Sequence, residues 1–159
     1  GMALGVFDYL SKPIDTQDLL SVVRRALDQQ ETILVADADL ETLDRVRMAM
    51  QQRGLRVRTT MRGERALRLA QDIRPAVVVL DLGLPDLDGY RVIRRLRHDQ
   101  RTMHVPVVLT GSASLFKEKL GDEGGELLQT LEGVHVVRRP YSVDELIARV
   151  QTLATHADA

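Results

Sequence analysis

Hydrophobic positions along this chain follow two rhythms. Ile33 to Ala36, Val77 to Leu80 and Val134 to Val137 are short apolar runs, and Val105 to Thr110 is another, entered through Pro106. Unbroken runs of this kind, rich in β-branched residues, predict strands buried on both faces, as in a parallel sheet. Leu55, Val57 and Thr59 alternate, which predicts a further strand over 55–60. Between the runs the spacing becomes helical. Leu40, Leu43, Val46 and Met50 mark a helix that stops at Gly54, a C-terminal glycine. Ala66, Leu67 and Ala70 mark a second over 63–73, closed before Pro75, and a third runs from about Gly89 to His98. Val143, Leu146, Ile147, Val150 and Leu153 give the last helix its face, entered through a capping box of Ser142 and Glu145. From Thr32 onward strands and helices alternate, which implies an α/β fold: a parallel sheet with helices on both faces. Residues 112–133 break the rhythm, because GDEGG at 121–125 interrupts helix. Two short helical pieces, or a loop plus one helix, are expected there.

Residues before Thr32 repeat part of this pattern. Val6 to Leu10 reads as a short strand stopped by Pro13. Asp15 then caps an amphipathic helix over 16–30, with Leu19, Leu20, Val23, Ala26 and Leu27 on one face. A strand and a helix cannot make a core alone. Their apolar faces must be buried on the rest of the chain or on a second copy, so a homodimer through residues 5–30 is an expectation. Gly1 before Met2 reads as a protease-cleavage scar.

Composition narrows the function classes. With 44% hydrophobic and 28% charged residues among 159, the chain is an ordinary globular sequence, long enough for one domain and part of another. Its 22 Lys+Arg against 23 Asp+Glu give a formal charge of -1. That argues against direct nucleic-acid binding or an anionic membrane as main partner. No Trp and few Phe or Tyr leave no stacking platform for single-stranded nucleic acid. The lack of Cys excludes disulfides and thiolate metal sites and fits a cytoplasmic protein. The four His, at 98, 104, 135 and 156, lack metal-ligand spacing.

Chemistry gathers at the strand ends. In open parallel sheets ligands sit outside the carboxyl ends of the strands. Asp37, Asp81, Thr110 and Arg139-Pro140 all stand there. Asp39 follows closely and also suits the N-cap of the first helix. Asp86-Leu87-Asp88-Gly89 superficially matches the nucleophile motif of haloacid-dehalogenase phosphatases, but it lies five residues past the strand end with Pro85 between, so that match fails. Arg91, Arg94, Arg95, Arg97 and Arg101 make the helix after Asp81 basic, either a solvated face or a partner surface.

The motifs ILVADAD, VVVLDLGLPDLDGY, VPVVLTG and VVRRPYSVDEL, in this order and at these separations, resemble the receiver domain of bacterial two-component response regulators over about 32–155. The resemblance implies a flavodoxin-like three-layer α/β/α sandwich with a five-stranded parallel sheet in the order 2-1-3-4-5. It implies phosphorelay signal transduction by a module that is not itself an enzyme. Asp81 matches the phosphoacceptor, Thr110 the hydroxyl that bonds a phosphoryl oxygen, and Arg139 the family's conserved basic residue. Partners implied are a sensor histidine kinase or phosphotransfer protein, and an output protein that the sequence does not name. The family holds Mg²⁺ with the acceptor, acids after the first strand and a backbone carbonyl. These would be Asp81, Asp37 and Gly83, with Asp39 as a further candidate.

Three departures from the family pattern stand out. Ala38 replaces the second acid after the first strand, which predicts weak Mg²⁺ binding. Arg139 replaces Lys, so a planar fork stands in place of a point charge. Val136 replaces an aromatic switch residue. A pseudo-receiver that signals by contact, without phosphorylation, is the alternative reading. GVFDYLSKPIDTQDLLSVVRRAL also resembles the last strand and helix of a more typical receiver, with Tyr9 and Lys12-Pro13 in the matching places. The expected organisation is therefore a receiver tail at 1–31, a receiver at 32–155 and a short tail at 156–159, as in a tandem-receiver protein cut at a late start.

Overall fold

Alternation along each strand decides which side chain meets which helix layer. The computed structural model describes residues 32–124, 128 and 131–156, together with Leu19 and Leu20. Five parallel strands are present: β1 Thr32–Ala36, β2 Arg56–Thr60, β3 Val77–Asp81, β4 Val107–Ser112 and β5 Val134–Arg139. Their order across the sheet is β2-β1-β3-β4-β5. The helices are α1 Leu40–Gln52, α2 Gly63–Ile73, α3 Gly89–Arg97, α4 Ala113–Leu120 and α5 Val143–His156. The parallel sheet is the one the strand–helix alternation predicted, and its flavodoxin-like order is the one the family resemblance implied.

The sheet separates two cores. Leu34, Val78, Leu80, Val107 and Leu109 point to one face and pack with Ala66 and Ala70 of α2, with Val92, Ile93 and Leu96 of α3 and with Phe116 of α4. Their neighbours Ile33, Val35, Val77, Val79 and Val108 point to the other face, against Leu43, Val46 and Met50 of α1 and Leu146, Ile147 and Val150 of α5. Nearly all are fully buried, and each such aliphatic side chain contributes about 1.5–3 kcal/mol. The unbroken apolar runs exist because both faces are covered.

Local signals in the sequence find their partners. Gly54 adopts a left-handed φ of 82° just past α1. Ser142 Oγ accepts from Glu145 N at 3.1 Å at the start of α5. The β4 strand differs from the expected 105–110 span. It starts at Val107 and continues through Gly111 and Ser112, because both pair with Arg138 and Arg139 of β5. The interrupted region begins with α4, capped by Ser112 Oγ on Leu115 N at 3.1 Å, and turns at Gly121. Most of the expected second helical piece, the strand expected over 6–10 and all of the helix expected over 16–30 but Leu19 and Leu20, which are helical, lie outside the described residues.

Two further ties hold the layers in place. Asp86, in the loop after β3, accepts from Gly63 N at 2.7 Å and Glu64 N at 3.1 Å, and so caps α2 from 23 and 22 residues away. At the far end of α3, the half-buried Arg97 donates to Thr102 O at 3.4 Å and to Glu132 O at 3.0 Å, just before β5.

Candidate functional site

The parity that sorts the core also sorts the strand ends. Asp37 continues the series Ile33, Val35; Asp81 continues Val77, Val79; Thr110 continues Val108; Arg139 continues Val137. All four therefore emerge on the α1/α5 side of the carboxyl edge. Register draws them close: Asp81 is level with Thr110, and Arg139 with Ser112 on the neighbouring strand.

Asp81 is held from two sides. Gly83 N donates to its Oδ1 at 2.9 Å, and Ala38 N donates to its Oδ2 at 3.2 Å. Asp37 receives Asp39 N on Oδ1 at 2.8 Å, while its Oδ2 takes a close charged hydrogen bond from Arg139 Nη2. The same Nη2 lies 3.7 Å from Asp81 Oδ2. One guanidinium therefore bridges two acids, both under a tenth exposed. Burial pushes the Asp37 carboxyl up to about 6, with the Asp81 charge adding to the rise and the Asp39 amide and Arg139 opposing it. Burial alone would lower the Arg139 pKa, but the two carboxylates outweigh it and hold it above its ordinary value. The guanidinium also lies 5.9 Å from the Tyr141 ring centroid.

The remaining candidates take distinct places. Thr110 is buried, and its hydroxyl donates a long bond of 3.4 Å to Leu80 O. Gly83 sits in the loop beside Asp81; a Cβ there would stand 3.2 Å from a Leu115 methyl and 3.5 Å from Asp81 Oδ1. Asp39 turns away to its own helix. Its Oδ2 accepts from Thr42 Oγ1 at 2.5 Å and from Thr42 N at 3.4 Å. Gly89 lies directly beneath Asp81, where an added Cβ would fall 2.8 Å from Asp81 O. The roles of Asp86 as a remote cap and Gly89 as a spacer carry no local sequence signature; only the turn character of 83–89 pointed to that loop.

Mg²⁺ takes oxygen donors and keeps several waters. Asp37, Asp81 and a carbonyl in the Gly83 loop are donors of that kind. Against them, Ala38 supplies no carboxylate, the Asp39 carboxylate is engaged by Thr42, and Arg139 already lies near Oδ2 of both acids. Among the described residues no three His, Asp or Glu side chains gather as a metal cage.

The response regulator receiver domain family matches residues 33–151. The DNA-binding dual master transcriptional regulator RpaA of Synechocystis is 31% identical over 128 residues, which are 79% of this chain and 50% of RpaA. The chain spans about half the length of the curated relatives it matches. The receiver domain of the Francisella response regulator 1452 superposes with a TM-score of 0.66 at 27% identity, covering 79% of this chain and 98% of that one. The receiver domain of the Pseudomonas aeruginosa sensor histidine kinase PA1611, solved with a magnesium ion in its active site cleft, shares the fold with a TM-score of 0.66 at 22% identity, covering 79% of this chain and 97% of its own. Among the described residues no helix is long and apolar enough to cross a membrane.

Proposed function

The chain belongs to the response regulator receiver domain family, and from that premise we propose that Asp81 is its phosphoacceptor. The donor is a phosphohistidine on a sensor histidine kinase or a phosphotransfer protein, and a cytoplasmic site of action is part of the same proposal. The observation that carries the reading is the convergence of Asp37, Asp81, Thr110 and Arg139 on one side of one sheet edge. In the transfer an Asp81 carboxylate oxygen forms the new P–O bond as the P–N bond to the donor imidazole breaks. An acyl phosphate remains on Asp81. Such chemistry is mostly positioning and charge stabilisation. The Ala38 and Gly83 amides orient the carboxylate beforehand. Arg139 offers its charge to the incoming phosphoryl oxygens, and Thr110 offers its hydroxyl.

Mg²⁺ would be held by Asp37, Asp81 and the Gly83 carbonyl, and when bound would offset the negative charge that gathers there. Its affinity is low in this proposal for two reasons: Ala38 removes a charged ligand, and Arg139 competes for the same oxygens. Acetyl phosphate and rising Mg²⁺ test the reading by intact mass. The expected result is slow gain of one phosphoryl group at high Mg²⁺, none in Asp81→Asn, and tighter Mg²⁺ binding by calorimetry in Ala38→Asp. A second reading, a pseudo-receiver that signals by contact, is favoured by the same guanidinium bridge, which already offsets part of the acids' charge in the unmodified site. No uptake by either the parent or Ala38→Asp at any Mg²⁺ level would select it.

A further inference from the structure

The α3 helix turns two very different faces outward and inward. Val92, Ile93 and Leu96 are fully buried under the sheet. Arg91, Arg94, Arg95 and His98, at positions i, i+3, i+4 and i+7, form one exposed stripe. This stripe borders a groove of about 500 Å³ between α3 and α2, with Leu67 and Leu87 supplying apolar surface and Gln71 the opposite wall. The groove lies on the α2/α3 side of the sheet, away from the side on which Asp37, Asp81 and Arg139 emerge.

Its charge is not balanced from within. Asp99 is the one acid on the lining, and it is taken by Arg101 Nη2 at 2.8 Å, Arg101 Nε at 3.1 Å and Gln71 Nε2 at 3.2 Å. Among the described residues, Arg91 pairs with Asp88 alone, at 3.8 Å. Among the described residues, Arg94 and Arg95 form no ion pair. The helix dipole accounts for cations in the last turn, but Arg91 stands in the first turn, where a cation is unfavourable. Like charges at i, i+3 and i+4 also repel along the helix. Neither fold nor phosphoacceptor chemistry needs this stripe.

We propose that the α2–α3 groove docks an acidic amphipathic helix of a partner protein. Carboxylates spaced one turn apart on that helix meet Arg91, Arg94 and Arg95, and an apolar side chain between them seats on Leu67 and Leu87. Charge complementarity sets the sign of the occupant. The apolar floor favours protein over nucleic acid, since no Phe, Tyr or Trp lines the groove to stack a base.

The test is an NMR titration of the ¹⁵N-labelled full chain at physiological salt. The probe is a synthetic helical peptide with Glu at i and i+4 flanking one Leu. Saturable shifts confined to amides of 67–71 and 87–98 are expected. Affinity should fall at least tenfold in Arg91→Glu/Arg94→Glu/Arg95→Glu, and tenfold when the peptide Leu becomes Ser. Should the triple variant not fold, Arg94→Gln/Arg95→Gln carries the same comparison with a smaller loss. Absence of saturable shifts, shifts indifferent to the Arg substitutions, or tighter binding of an oligothymidylate of equal charge at the same amides would each overturn the proposal. Asp81→Asn should bind the peptide as the parent does, which separates this surface from the phosphoacceptor reading.

Discussion

Gly63→Ala sets two opposing effects against each other, and the structure decides the sign. Gly63 opens α2, and Ala in place of Gly favours helix by about 1 kcal/mol at interior positions, less at the first turn. An added Cβ, however, would fall 1.9 Å from the backbone oxygen of Leu87, 2.9 Å from its carbon and 3.0 Å from its Cβ. A normal contact needs about 1.5 Å more room, and what must move is backbone. Displacing the 83–88 loop also breaks the 2.7 Å bond from Gly63 N to Asp86. Overpacking costs about 1–3 kcal/mol, and loss of a helix cap about 1 kcal/mol. The net expectation is a loss of about 1–3 kcal/mol, read as a lower urea midpoint with unchanged slope. Asp86→Ala alone should cost about 1 kcal/mol through the cap. The double variant should cost less than the two losses combined, because both act on one junction. A Gly63→Ala protein as stable as the parent would refute the argument that this loop is wedged against α2.

Other expectations follow from the same geometry. In Mg²⁺-free buffer, Asp37 stays protonated in the folded state up to about 6, above its ordinary 3.8; its stabilising contribution is full below that ordinary value and is lost as pH rises through the raised one. Urea midpoints from pH 4 to 7 should therefore fall more steeply in the parent than in Asp37→Asn, and equal slopes would refute this. Arg97→Ala should lower stability by about 1–3 kcal/mol through lost bonds to Thr102 O and Glu132 O, and an unchanged midpoint would contradict it. Val136→Ala should cost about 1 kcal/mol of packing yet keep any phosphorylation-dependent change in partner binding. Loss of that change in a folded variant would place the signal route through position 136.

Much of this architecture was legible because burial on both faces leaves a plain mark. Val77 to Leu80 has no polar break, and Asp81 is the first charge after it. The same holds for Asp37 after Ala36. Once strand parity is known, the shared face of Asp37, Asp81, Thr110 and Arg139 follows. Asp39 also read correctly as a helix-cap residue from its position alone. What could not be read depends on distant partners. Nothing near Asp86 says that it caps a helix that begins at residue 63. Nothing near Arg139 says that its guanidinium spans two acids rather than one. The β4 overrun to Ser112 depends on pairing with β5, which local propensity at Gly111 opposes.

The α3 helix is pinned at both ends. Its first residue, Gly89, is pressed against the carbonyl of Asp81, and its last, Arg97, grips the chain just before β5. Over nine residues it runs about 14 Å, from the chemical edge of the sheet back to the edge where β4 and β5 begin. It therefore works as a strut. The inner face of this rod is fully packed, so a shift in the loop after Asp81 would pass along it to the far end with little loss. On the proposed phosphoacceptor role of Asp81, the entry to β5 would be the second place where its condition is felt.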